Sequence, residues 1–192
     1  DYLYDSLTVA ALDEPFARYG LLAVKIERDP EDASWIIYHL NPAARFSDGH
    51  AVTAEDVAFT FNLLKKEGAP GLKNYYSDIE KVEALDKQKV KFSFKSKTNR
   101  ELSLIVGEQA ILPKHYWEKR DFNSTNLDIP IGSGPYTLNK IDAGRVNTWM
   151  SFVQFDGDVV DIGPFHLRWP SFAMLMLYFG ISTVSGVAPT MA

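Results

Sequence analysis

A mixed α/β fold is predicted for this 192-residue chain by three of its stretches. Residues 46–62 read as a strand end, a tight turn and a capped amphipathic helix in immediate succession. Residues 79–95 alternate apolar and polar side chains across a short polar break, the pattern of a hairpin with one wet face. Residues 35–40 are rich in β-formers and are stopped by Asn41-Pro42, because the residue before a proline is pushed out of the helical region.

Taken in order, residues 16–29 are mixed, with a short strand expected at 23–27, and a second strand follows at 35–40. Asp48-Gly49 is turn chemistry, since glycine tolerates positive φ and aspartate bonds its own backbone. Thr53 stands three residues before Asp56, close to a capping box, and opens a helix over 53–67. Val57, Phe61 and Leu64 form its apolar stripe, and Gly68 is its expected stop. Gly68, Pro70 and Gly71 read as a loop leading to Tyr75-Tyr76. In the hairpin, residues 79–85 and 89–95 flank the turn Asp86-Lys87-Gln88. Val90, Phe92 and Phe94 point one way, and Lys89, Lys91, Ser93 and Lys95 the other. Thr98 and Glu101 offer a second capping box, opening a helix through about Val106. Pro113 starts another, with His115, Tyr116 and Trp117 behind it. Residues 130–135 are irregular and 136–141 return to strand.

The character changes after about Trp149. No charged side chain follows Arg168, and residues 171–188 contain neither charge nor proline, a run at the lower bound for a membrane helix. Ser171, Gly180, Ser182, Thr183, Ser185 and Gly186 dilute it. The expectation is an atypical tail over 150–192, frame-shifted or truncated, in preference to a membrane span or a divergent core segment.

The composition excludes several functions. A net charge of −5 argues against a nucleic-acid surface, which is normally basic. With no cysteine, neither a disulfide framework nor thiol catalysis is available. His39, His50, His115 and His166 lack metal-ligand spacing, so no metal site is expected. Gly132-Ser133-Gly134 is followed at once by proline and then a strand, which suits a tight turn and not a nucleophile elbow. Glu55 and Asp56 complement the positive end of a helix dipole, and Lys87, Lys89, Lys91, Lys95 and Lys97 read as a solvated hairpin face. No phosphate-binding loop is present. No catalytic residue, no cofactor and no enzymatic activity are expected.

The wording of several segments adds to this reading. Phe46-Ser47-Asp48-Gly49 running into Val52-Thr53-Ala54-Glu55-Asp56-Val57 resembles the signature of family 5 extracellular solute-binding proteins, the peptide and nickel receptors of bacterial ABC importers. Gly132-Ser133-Gly134-Pro135-Tyr136 resembles that family's second glycine motif, and Leu3-Tyr4-Asp5-Ser6-Leu7 an early element. The wording of Asp13-Glu14-Pro15-Phe16-Ala17 and Asp32-Ala33-Ser34-Trp35 is similar to the oligopeptide and microcin-uptake branch.

The resemblance implies a periplasmic-binding-protein type II-like fold, with residues 1–149 as a partial first lobe carrying an accessory hairpin and helix subdomain. It implies a periplasmic monomer that captures an oligopeptide or peptide-like compound and delivers it to the membrane permease subunits of an ABC transporter. Ligand contact is implied for an aromatic residue just after the first helix, hence Tyr75 or Tyr76. Family receptors carry a secretory leader and run to greater length, so the resemblance also implies a fragment lacking its signal peptide and second lobe. A nickel or haem receptor, or a sensor or interaction module on the same fold, is the alternative.

Overall fold

The structure, a computed structural model, describes residues 3–11, 13–14, 17–124 and 128–140, the last two as backbone. It also gives the backbone of residues 149–152, 161–162 and 165–166. The chain opens with two short antiparallel strands, β1 (Thr8–Ala10) and β2 (Arg18–Gly20), paired Thr8 to Gly20 and Ala10 to Arg18. β3 (Ala23–Arg28) and β4 (Trp35–Leu40) follow, then α1 (Ala54–Glu67) and a short α2 (Pro70–Tyr75). The hairpin β5 (Ile79–Ala84) and β6 (Lys89–Phe94) leads into α3 (Arg100–Glu108) and the single turn α4 (Lys114–Trp117).

β3, β4, β6 and β5 form an antiparallel four-stranded sheet in that order. Its two faces follow from strand alternation. Tyr38, Ile36, Val90, Phe92 and Phe94 lie on the core side and are buried. Lys25, Glu27, His39 and Lys91 stand on the other face, where His39 and Lys25 both contact Glu27. α1 lies across β5 and β6 on the core side. There Phe61 meets Phe92 edge-on at 4.9 Å between ring centroids, and Phe92 meets Tyr38 at 5.7 Å. Val57 and Phe61 are fully buried and Leu64 nearly so, as the stripe requires.

A second four-stranded sheet has the order β7-β8-β10-β9, built from β7 (Tyr136–Lys140), β8 (Trp149–Phe152), β9 (Asp161–Ile162) and β10 (Phe165–His166). β8 straddles the boundary expected at 149. Most of the tail, including 171–188, lies outside the described residues. Among the described residues no helix is long and apolar enough to cross a membrane.

Two local expectations are corrected and a third is refined. Residues 70–75 are helix where Pro70 and Gly71 were expected in a loop, because Pro70 occupies the first helical position, where its fixed φ and missing N–H suit a start. α3 is capped by Asn99 and not Thr98: the Asn99 side chain accepts from the Leu102 N–H at 3.2 Å, and asparagine caps at least as well as threonine. Gly68 does stop α1 but in an extended conformation, so it answers to space and not to positive φ. A Cβ there would strike the Leu64 carbonyl that its own N–H bonds at 3.0 Å. β1 and β2 were not expected at all, for the early residues show no clear alternation.

Candidate ligand-binding wall

The two glycine-bearing motifs meet in space. Gly49 adopts φ +88°, a left-handed conformation glycine reaches without penalty, and so turns the chain tightly before α1. The Ser47 N–H donates to the Gly132 carbonyl at 2.7 Å, and the Gly132 N–H approaches Ser47 Oγ at 3.4 Å. One step further, the Gly134 N–H donates to the Leu3 carbonyl at 2.9 Å and the Asp5 N–H donates to Ser133 Oγ at 3.0 Å. A Cβ at residue 132 would run into the Leu3 carbonyl. Gly132-Ser133-Gly134 thus staples the first residues to the turn before α1. Ser133 is buried and its oxygen is occupied by that task.

α1 is fastened from its first turn. Asp56 is 5% exposed: its Oδ2 accepts from the Thr53 N–H at 2.9 Å and hydroxyl at 2.6 Å, and its Oδ1 from the Lys114 N–H at 2.8 Å. Glu55, exposed beside it, pairs with Lys114 Nζ. One turn on, the buried Thr60 hydroxyl donates to the Asp56 carbonyl at 2.8 Å and accepts from the Leu112 N–H at 2.9 Å. Both residues therefore hold the segment 112–114 against the helix.

Two hollows flank Thr8 and Arg18. The larger, an open cleft of about 400 Å³, runs along residues 4–10 and is closed by Arg18, Leu21 and Glu108. Arg18 and Glu108 form an ion pair across it. The smaller, about 260 Å³, lies on the core side of the sheet at its β3 edge, lined by Ile26, Arg28, Ile36, Tyr38 and Ser103. The Tyr38 hydroxyl donates to the Ser103 carbonyl at 2.7 Å, and burial pushes its phenol well above the usual range. Thr8 Oγ1 is buried with no partner among the described residues, and the bare Cα of Gly107 lets α3 approach it.

Tyr75 and Tyr76 leave α2 in opposite senses. Tyr76 is 4% exposed, stands edge-on to Phe61 at 5.3 Å, and its hydroxyl donates to Gln109 Oε1 at 2.8 Å. Burial first, and the Tyr75 phenol second, push its pKa up to about 12. Tyr75 is 53% exposed, with its ring 5.5 Å from that of Tyr76. Gln109 sits between Glu108, which closes the larger hollow, and Ala110, which bridges to Ser6 on its floor. The tyrosine pair is thus joined to the rim of the cleft through one side chain. Sequence reasoning did not single out Arg18, Glu108 or Gln109: they are ordinary polar residues in segments without a distinctive pattern, brought together by the chain's turns.

Asp48, His50 and His115 also converge. Asp48 Oδ2 lies 2.7 Å from His115 Nε2 and 3.0 Å from His50 Nδ1, and the two imidazoles stack with centroids 4.2 Å apart.

The pattern described as bacterial extracellular solute-binding proteins, family 5 middle, matches residues 19–160. A peptidoglycan-binding protein, YepA, of Agrobacterium fabrum is 41% identical over 148 residues, 77% of this chain and 24% of its own. A putative binding protein of Brucella melitensis is 40% identical over 144 residues, 74% of this chain and 23% of its own. The chain thus spans about a quarter of the length of these curated relatives. Among solved structures, the oligopeptide-binding protein AppA of Bacillus subtilis in complex with a nonapeptide superposes with a TM-score of 0.67 at 25% identity. The alignment covers 93% of this chain and 36% of that one.

Proposed function

Because this chain belongs to the family 5 bacterial extracellular solute-binding proteins, we propose that it forms part of the first lobe of a receptor that captures oligopeptides and delivers them to the membrane permease of an ABC importer. Residues 1–149 supply most of that lobe, and β8 (Trp149–Phe152) continues it across the expected boundary by pairing with β7. The receptor works as a monomer outside the cytoplasmic membrane, without a cofactor and without catalysis. The observation that carries the reading is the family match over residues 19–160, joined to relatives and structures whose names specify peptide or peptidoglycan.

The ligand lies extended along the open cleft beside residues 4–10, held chiefly by main-chain hydrogen bonds in the manner of an added strand. Side chains then project into roomy space, which permits many sequences. Tyr75 offers its exposed ring to the ligand, while Tyr76, fixed by Gln109, sets the position of α2. A second lobe closing over this wall removes water and strengthens each of those bonds.

Calorimetry tests this directly. The isolated 192 residues should bind peptides poorly, since one wall leaves half the ligand in water; micromolar affinity for them would refute the two-lobed requirement. Produced with the rest of the receptor, the protein should copurify with peptides identifiable by mass spectrometry. Peptidoglycan-derived peptides belong in the same screen. There Tyr75→Ala should weaken binding about tenfold, or 1.4 kcal/mol.

A further inference from the structure

We propose that Asp48, His50 and His115 form a binding site for a divalent first-row transition ion of the zinc type, clamping the turn before α1 to α4.

The donor set is chemically suited to such an ion. Two imidazole nitrogens and one carboxylate oxygen lie within 4.8 Å of one another, each on a different side chain. Imidazole suits zinc, copper and nickel, whereas calcium and magnesium take oxygen ligands. Three protein ligands with an open fourth position is a coordination that zinc adopts readily. Ligand atoms around a tetrahedral zinc stand about 3.3 Å apart. The present separations of 2.7 and 3.0 Å from Asp48 Oδ2 need to open by about 0.3–0.6 Å, with the two ring nitrogens, within 4.8 Å of each other, settling to the same spacing.

The backbone brings these groups together for reasons independent of any ion. Asp48 and His50 flank Gly49, whose positive φ folds the two side chains onto the same side of the turn. His115 follows Pro113 at the start of α4, which the Lys114 N–H fastens to Asp56 Oδ1 at 2.8 Å. Phe46, buried, meets the His115 ring at 5.9 Å and backs it on the protein side. The outer side is open: the side chains of His50, His115 and Asp48 are 64%, 34% and 24% exposed. An ion can reach the site from solvent and keep a water ligand.

Asp48 is held in place by its own turn. Its Oδ1 is engaged by the His50 N–H at 3.1 Å, which orients the carboxylate and leaves Oδ2 facing both rings. Without an ion, that single oxygen serves two imidazoles at once. An ion placed among the three gives each nitrogen lone pair its own partner.

The test is titration of zinc chloride into the full, chelator-treated chain by calorimetry in a non-coordinating buffer. One site per chain is expected, with a melting temperature that rises as zinc is added. His50→Ala and His115→Ala should each weaken binding by about tenfold or more. His39→Ala, which removes a histidine paired with Glu27 on the outer sheet face, should leave it unchanged. Nitrogen NMR of the bound state should show metal on Nδ1 of His50 and Nε2 of His115. Should His115→Ala lose its circular dichroism, His50→Ala still decides, because that ring lies mostly in solvent. Absence of saturable binding up to millimolar zinc, or equal binding by wild type and both histidine variants, would overturn the proposal.

Discussion

Asp56 does more than its place in the first turn of a helix suggests. One buried carboxylate satisfies the Thr53 N–H and hydroxyl and the Lys114 N–H, so it caps α1 and attaches α4 to it. Asp56→Ala strands those donors around a buried position, and urea denaturation should show a loss of about 2–3 kcal/mol. Tyr76 makes a prediction of opposite chemistry. Its folded-state pKa of about 12 stands above the ordinary phenol value of 10.0, so folding favours the protonated ring. Its contribution to stability is whole below pH 10 and is lost as the pH climbs towards 12. An alkaline titration followed by phenolate absorbance should show Tyr76 and Tyr38 ionising late, together with unfolding; ionisation alongside the exposed tyrosines would contradict this. Legibility differs sharply among such residues. Thr53 and Asp56 are three apart, and their partnership is written in that spacing. His50 and His115 come from separate elements, so no local pattern could join them. The Tyr75-Tyr76 pair is visible as a pair, but which ring turns outward is decided by Phe61 and Gln109, elsewhere in the chain.

Elements with strong periodicity were legible and weak ones were not. The hairpin and α1 announce themselves because one face of each is buried against the same core, which forces the alternation and the stripe. Phe92 sits where those faces meet, fully buried between Tyr38 and Phe61. Phe92→Ala should cost about 3–5 kcal/mol in chemical denaturation, the usual range for emptying such a site. β1 and β2 are three residues each and half exposed, so their pairing depends on the Leu7 backbone, which accepts from the Leu21 and Ala23 N–H groups, and not on side-chain pattern. The glycine staple was legible as a turn but not as a joint between distant segments. Gly132→Ala forces a Cβ against the Leu3 carbonyl and should destabilise that joint by about 1–3 kcal/mol. Hydrogen exchange would report it as faster exchange at the amides of Gly134 and Asp5, with the β5–β6 amides unchanged.

At the scale of the whole chain, the mixed α/β class followed from three stretches, whereas sheet order and the hollows did not, because both depend on how separate elements stack. Among the described residues the sheet ends in two edge strands, β3 and β5. On β3, Val24 is 62% and Ile26 40% exposed, a pair of apolar side chains beside an edge that no described strand pairs. Light scattering of the isolated chain should therefore rise with concentration, and Val24→Lys should reduce it; scattering independent of concentration in the wild type would count against an uncovered edge. The staple has one more consequence, in time. Asp5 leaves the ribosome well before its partner, for the hydroxyl that receives its amide lies 128 positions later. Local pairings such as the β5–β6 hairpin can form long before that contact can. The segment around Asp5 must then wait untethered while those 128 positions are made, and it is this interval, more than the finished protein, that a chaperone would be needed to cover.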